Sequence, residues 1–211
     1  MSKFDKYVIV VEREKLFGEN HFEGFKPRSE IDFESRILKN LKSMKRGDAE
    51  EDPSHKQPIG YTLIVNPHTR KVFAYQRAGN ENSGEQRLWN KWSWGVGGHA
   101  ESIDLTGNPL RESMLREIEE EIDINGEIMK EIKILGYINE EIDSVSQVHF
   151  GILYLIEVNG TVSPKDSEIA RGEMVSLEEV ERICSSAEHN VEGWSKIALG
   201  PLKNYFDSIN L

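Results

Sequence analysis

Residues 61–76 do most to limit what this chain can fold into. Two short apolar runs, 61–65 and 71–76, flank the tetrapeptide Asn66-Pro67-His68-Thr69. Asparagine and proline there read as a turn, and strands joined by so short a turn lie antiparallel. That hairpin works against a purely parallel sheet. Further apolar runs at 7–11, 132–137 and 147–158 read as strands, with a short one at 174–175. Helical spacing of apolar residues marks 30–45, 108–122, 177–185 and 191–206, with Pro201 kinking or splitting the last. Residues 92–98 form a short apolar, glycine-rich stretch, and 16–28, 78–86 and 159–172 read as loops. Strands, helix, strands, then helices fit a mixed sheet covered by helices on both faces, an α/β fold of the α+β type.

Residues 46–58 are polar, with acidic side chains at 48–52 and prolines at 53 and 58, and read as a linker. Residues 1–57 are then a strand–helix extension packed on a main domain, 58–211. The extension is a candidate for covering a sheet edge, shaping specificity or forming a homodimer interface.

Composition excludes several classes. No run reaches the roughly 20 apolar residues that span a bilayer. The most apolar stretch, 148–158, is broken by His149, Gly151 and Glu157. Residues 7–11 are too short for a secretory core and are followed at once by Glu12, Arg13 and Glu14. The single cysteine, Cys184, allows no internal disulfide, and a cytoplasmic protein is expected. A net charge of −11 works against binding the phosphate backbone of DNA or RNA. It leaves room for small phosphorylated ligands, provided divalent cations stand between carboxylates and phosphates.

The helix at 108–122 carries the candidate chemistry. Asn108 suits the N-cap and Pro109 the first helical position. Glu117, Glu120 and Glu121 stand at i, i+3 and i+4 and project from one face, while Met114, Leu115, Ile118 and Ile122 project from another. Three clustered carboxylates repel one another unless cations intervene, and hard oxygen ligands suit Mg²⁺ or Mn²⁺. The plainer reading is a solvated acidic face, with Arg116 paired to Glu112 four residues earlier. Upstream lies Gly95-Val96-Gly97-Gly98-His99, whose glycines allow close backbone approach to a ligand.

Gly97-Gly98-His99 followed by Leu115-Arg116-Glu117-Ile118-Glu119-Glu120-Glu121-Ile122 resembles the Nudix hydrolase signature. That signature is Gly, five residues, Glu, seven residues, then Arg-Glu-apolar-x-Glu-Glu-x-Gly-apolar. The chain departs from it in three places. The interval from Gly98 to Arg116 is four residues longer, so residues 101–107 carry an insertion. The signature's first glutamate falls on Asn108, with Glu101 or Asp104 as substitutes, and its closing glycine falls on Asp123. The resemblance covers about residues 58–190. It implies a Nudix-like α/β/α sandwich and Mg²⁺-dependent hydrolysis of a nucleoside diphosphate linked to another group. It further implies that Glu117, Glu120 and Glu121 bind metal, that the carbonyl of Gly97 adds a ligand, and that Arg116 orients the glutamates. A glutamate after the last long strand, Glu168, becomes a candidate extra ligand or general base.

Around this set, Arg77 reads as a phosphate contact or an ion-pair partner. Trp92 and Trp94 stack a base or simply fill the core. Gly98 and His99 join the substrate-binding candidates. His149 and Trp194 read as core residues, and Cys184 as a buried, inert thiol. Two rivals to the hydrolase stand: a non-catalytic sensor of nucleotides or nucleotide sugars, and an isomerase of prenyl diphosphates. The second needs a pocket cysteine, and Cys184 sits in a late helix.

Overall fold

The computed structural model describes residues 3–79, 86–102 and 107–209. Its first elements are β1 (Tyr7–Glu12), α1 (Arg13–Phe17), β2 (Gly24–Pro27), α2 (Phe33–Asn40), β3 (Lys42–Lys45), α3 (Arg46–Ala49), β4 (His55–Asn66), β5 (Lys71–Arg77) and β6 (Trp92–Ser93). There follow α4 (Pro109–Glu121), β7 (Ile122–Asn125), β8 (Lys133–Asn139), β9 (His149–Glu157), β10 (Thr161–Pro164), β11 (Ile169–Ser176), α5 (Leu177–Ser185) and α6 (Gly193–Ser208). This is the α+β architecture with a large sheet expected from the sequence. Contacts divide it into two compact units. The first holds Met1–Tyr61, Gly97–Arg116 and Ile134–Leu153. The second holds Thr62–Val96, Glu117–Lys133 and Tyr154–Leu211. Residues 1–57 thus lie in one unit with the glycine-rich segment and the start of α4.

In the first unit the main sheet runs β4-β9-β8-β2, and β1 pairs with both β3 and β4. β2 lies antiparallel to β8 from Gly24↔Asn139 to Pro27↔Gly136. It ends the strand order, where a proline costs no ladder bond. The core is aromatic. Phe33 packs edge-on to Tyr137 and Phe150, with ring centroids 5.2 and 5.4 Å apart, and Phe17 joins them at 5.8 Å from Phe150. Phe33 and Ile37, one helical turn apart on α2, are fully buried. Asp32 caps that helix by accepting the Ser35 amide at 2.9 Å.

Three expectations are corrected here. The helix expected over 30–45 covers only Phe33–Asn40. Leu41 turns extended at φ −61°, ψ 145°, and Lys42–Lys45 pairs with β1 as a strand, because an open strand edge outweighs weak helical spacing. The linker expected at 46–58 is ordered as α3 and the start of β4. The loop expected at 16–28 contains the end of α1 and all of β2.

In the second unit the sheet runs β11-β5-β4-β9, with β6 on β5. The β4–β5 hairpin forms as expected, with Val65 opposite Val72 and Asn66 opposite Lys71. The Asn66 side chain holds the turn by accepting the amides of His68 and Thr69 at 3.1 and 3.2 Å. β11 is longer than the strand expected at 174–175, because it pairs along β5 from Ile169↔Arg77 to Ser176↔Lys71. β7 and β10 form a two-stranded ribbon that the sequence did not announce. α6 continues through Pro201, so that proline does not split it. Cys184 on α5 is half-buried rather than buried, at the margin of the stripe formed by Val180 and Ile183. Among the described residues no helix is long and apolar enough to cross a membrane.

Candidate functional site

α4 begins as its sequence dictates. The Asn108 side chain accepts the amides of Leu110 and Arg111 at 3.1 and 3.3 Å. Asn108, where a count back from Arg116 puts the signature's first glutamate, is thus the N-cap, a role a short amide side chain fills well. Met114, Ile118 and Ile122 are buried. Glu117 and Glu121 are half-buried and Glu120 is exposed, as one helical face at the edge of an apolar stripe would be.

The end of the helix explains the missing glycine. The carbonyl of Glu121 accepts the amides of Lys165 and Asp166 at 2.9 and 3.1 Å. Lys165 also donates from Nζ to the carbonyl of Glu119 at 2.6 Å. A neighbouring loop thus satisfies carbonyls that a glycine-based turn would otherwise cap. The same stitching brings Asp166 and Glu168 to Glu121. Asp166 accepts the Glu168 amide at 2.6 Å, and the Glu168 carbonyl accepts the Ala78 amide at 2.8 Å.

The Glu121 carboxyl is strongly perturbed. Burial pushes it up, the charge of Arg77 opposes, and Glu117, Glu168 and Asp166 add to the rise, to about 8. Its Oε2 is buried and has no hydrogen-bond partner among the described residues. A buried oxygen without a donor beside three further carboxylates is costly in the bare protein, and a divalent cation would relieve both the repulsion and the unmet acceptor. The residues present therefore fit a hard divalent metal.

Arg77 lies beside this group and forms an ion pair with Glu192. Both side chains are largely buried, at 18% and 6% exposed, so this is not a loose surface pair. Trp92 is engaged on its own account. The Arg171 guanidinium lies over its ring at 5.0 Å and His189 meets it edge-on at 6.1 Å. Trp94 is fully buried. The core reading of both tryptophans, rather than base stacking, is what the packing favours.

The remaining candidates belong to the first unit. Gly97 has φ 144°, and a Cβ there would stand 2.1 Å from the carbonyl oxygen of Gly60. The Gly98 carbonyl accepts the Gly60 amide at 3.1 Å, so the segment is laced to β4. The Arg116 guanidinium donates to the carbonyl of His99 at 3.2 Å. The ring of His99 faces His149, Nε2 to Nε2, at 3.0 Å. His149 donates from Nδ1 to the carbonyl of Val145 at 2.7 Å and is buried, as a satisfied core histidine should be. Glu101 is turned to the N-terminal segment, pairing with Lys6 at 2.8 Å. Asp104 lies outside the described residues.

Residues 56–193 match the NUDIX domain model. The chain belongs to the Nudix family. It is 34% identical over 212 residues to Protein YmaB of Bacillus subtilis (strain 168), covering 96% of this chain and all of that one. The crystal structure of Tm1382, provisionally a Nudix hydrolase, superposes with a TM-score of 0.76 at 28% identity, over 95% of this chain and 100% of that one. A bifunctional NMN adenylyltransferase/ADP ribose pyrophosphatase from Francisella tularensis, complexed with AMP and a Mn ion, shares the fold. Its TM-score is 0.52 at 15% identity, over 72% of this chain and 42% of that one. As a Nudix-type hydrolase the chain is an enzyme of a family whose members generally use divalent metals.

Two residues of this neighbourhood escaped the sequence reading. Asp166 gave no signal, because its place depends on the loop after β10 docking on α4. Glu192 was hidden likewise, since only the turn before α6 brings it to Arg77. A motif search over contiguous sequence finds neither.

Proposed function

We propose that this Nudix enzyme hydrolyses the diphosphate bond of a nucleoside diphosphate linked to another group, with Mg²⁺ or Mn²⁺ held by Glu117, Glu120 and Glu121. The observation that carries the reading is the unpartnered, buried Oε2 of Glu121 among Glu117, Asp166 and Glu168. The cation supplies charge neutralisation of the phosphates and acidifies a bound water. The protein's own groups do the rest. Water attacks one phosphorus, its bond to the bridging oxygen breaks, and the bridging oxygen leaves on the other phosphate. The proton of the attacking water goes to a carboxylate, for which Glu168 is the candidate outside the metal-binding helix. Arg77, fixed by Glu192, holds positive charge beside Glu121 and keeps that carboxylate from being still harder to ionise. The nucleotide-containing complex of the Francisella relative supports the substrate class.

Glu120→Gln and Glu121→Gln are the decisive variants. Each should lower turnover at least about 100-fold, the scale of losing several kcal/mol of charge stabilisation in the transition state. Circular dichroism should show the fold retained. Turnover at the wild-type rate in both variants would refute the assignment.

A further inference from the structure

The first unit brings together three side chains that the proposed hydrolysis does not use: Glu50 at the end of α3, His99 after the two glycines, and His149 at the start of β9. Their nearest nitrogens and oxygens lie within 4.8 Å of one another. The separations are 3.0 Å between the two Nε2 atoms, 3.7 Å from His99 Nε2 to Glu50 Oε1, and 3.8 Å from His149 Nε2 to Glu50 Oε2. We propose that these residues form a second cation site, selective for Zn²⁺ or a similar transition metal over Mg²⁺.

The distances suit the metal. Ligand atoms about 2.1 Å from a tetrahedral zinc stand about 3.4 Å apart. The separations of 3.0, 3.7 and 3.8 Å bracket that value; the two to Glu50 run to different oxygens, so the carboxylate must also turn one oxygen toward both rings, within a cluster whose three ligand atoms already lie within 4.8 Å of one another. The ligand types discriminate between metals. Two imidazoles and one carboxylate suit zinc and its neighbours, whereas Mg²⁺ prefers oxygen ligands alone. One position stays open for water or a small ligand.

The surroundings hold the rings in the ligating pose. The bond from His149 Nδ1 to the Val145 carbonyl fixes the tautomer, because a carbonyl can only accept. Nε2 of His149 therefore carries its lone pair toward the cluster, the arrangement usual for a metal-bound histidine. Without metal, His99 fills that lone pair by donating from its own Nε2. With metal, the proton of His99 moves to Nδ1 and both Nε2 atoms turn to the ion. The two rings already stand at 78°, with centroids 5.0 Å apart. Glu50 is steadied by Arg46, which donates from Nε to Oε1 at 3.1 Å and leaves that oxygen a second lone pair. His99 is held through its backbone, bridged to Ile59 and accepting from Arg116. The charges of Arg46, Arg116 and Lys56 oppose a cation and limit its affinity. The competing reading is a plain hydrogen bond between two neutral imidazoles that ties β9 to the glycine segment.

Cobalt(II) separates the two readings, because its four-coordinate complexes absorb visible light far more strongly than six-coordinate ones. The probe is Co²⁺ titrated into the full chain carrying Glu120→Gln and Glu121→Gln, in excess Mg²⁺, so that the α4 carboxylates do not contribute. Intense bands saturating at one equivalent and removed by Zn²⁺ are expected. His99→Gln or His149→Gln should abolish them. Glu50→Gln, with the fold checked by circular dichroism, should weaken Co²⁺ binding at least tenfold, roughly the least that loss of even an outer partner costs. Absence of the bands, bands that survive both histidine substitutions, or unchanged affinity in Glu50→Gln would each overturn the proposal. None of these outcomes depends on hydrolytic activity.

Discussion

Single residues in this protein are placed by what surrounds them, and two outside α4 make the point. Gly97 is the first. At φ 144°, with the Gly60 oxygen 2.1 Å from any Cβ, Gly97→Ala must distort the backbone where the signature segment meets β4. A loss of more than about 1 kcal/mol in urea unfolding is expected, since alanine at positive φ adds strain to the clash. Glu141 is the second. Burial would push its carboxyl up, but hydrogen bonds from Arg13, His21 and Asn139, with the charge of Lys56, hold it down to about 2. A carboxyl with a lowered folded-state pKa stabilises fully above its unfolded value of 4.5 and loses that contribution as pH falls toward about 2. The stability advantage of the wild type over Glu141→Gln should therefore shrink between about pH 5 and pH 3. An advantage constant across that range would contradict the pairing. At this scale the sequence shows the residues of a contiguous motif and little else. Glu117, Glu120 and Glu121 were legible because helical spacing alone sets them on one face. Asp166, Glu192 and Glu50 were not, because each reaches its neighbours only through a loop or helix end whose course is decided by packing.

Elements were legible where one periodicity ruled. The β4–β5 hairpin, α4 and α5 stand close to where apolar spacing and capping residues put them. Asn108→Ala should cost about 1 kcal/mol of stability by urea unfolding, the usual value of an N-cap. It also removes the bond from Nδ2 to Glu34 Oε1 at 2.9 Å, so the loss should fall at the upper end of that range. A neutral result would mean that the cap, though formed, contributes nothing. Elements were illegible where pairing, not spacing, decides. Lys42–Lys45 is a polar segment that becomes a strand because β1 offers it an edge. β7 and β10 are short, and each is a strand only against the other. The same holds for the extra length of β11, which exists along β5.

For the molecule as a whole, Nudix membership rests on a domain model matching residues 56–193 and on a relative matched along its whole length. The N-terminal segment was the least legible part of the sequence, having no motif of its own. In the structure it is built into the first unit, where Ile9 donates to the Ala100 carbonyl at 2.7 Å, just past His99. Its strands add to the sheet that carries the signature segment.

The proposed activity is metal-dependent cleavage of a diphosphate bond. The most direct measurement is release of phosphate or nucleoside monophosphate from a panel of nucleoside triphosphates, dinucleotides, ADP-ribose-like compounds, nucleotide sugars and coenzyme A. Each compound is assayed with Mg²⁺, with Mn²⁺ and with a chelator. Turnover of at least one compound is expected in the presence of metal, abolished by chelator and by Glu121→Gln. Turnover undiminished in chelator would contradict the proposal, and so would binding of these compounds without turnover in either metal.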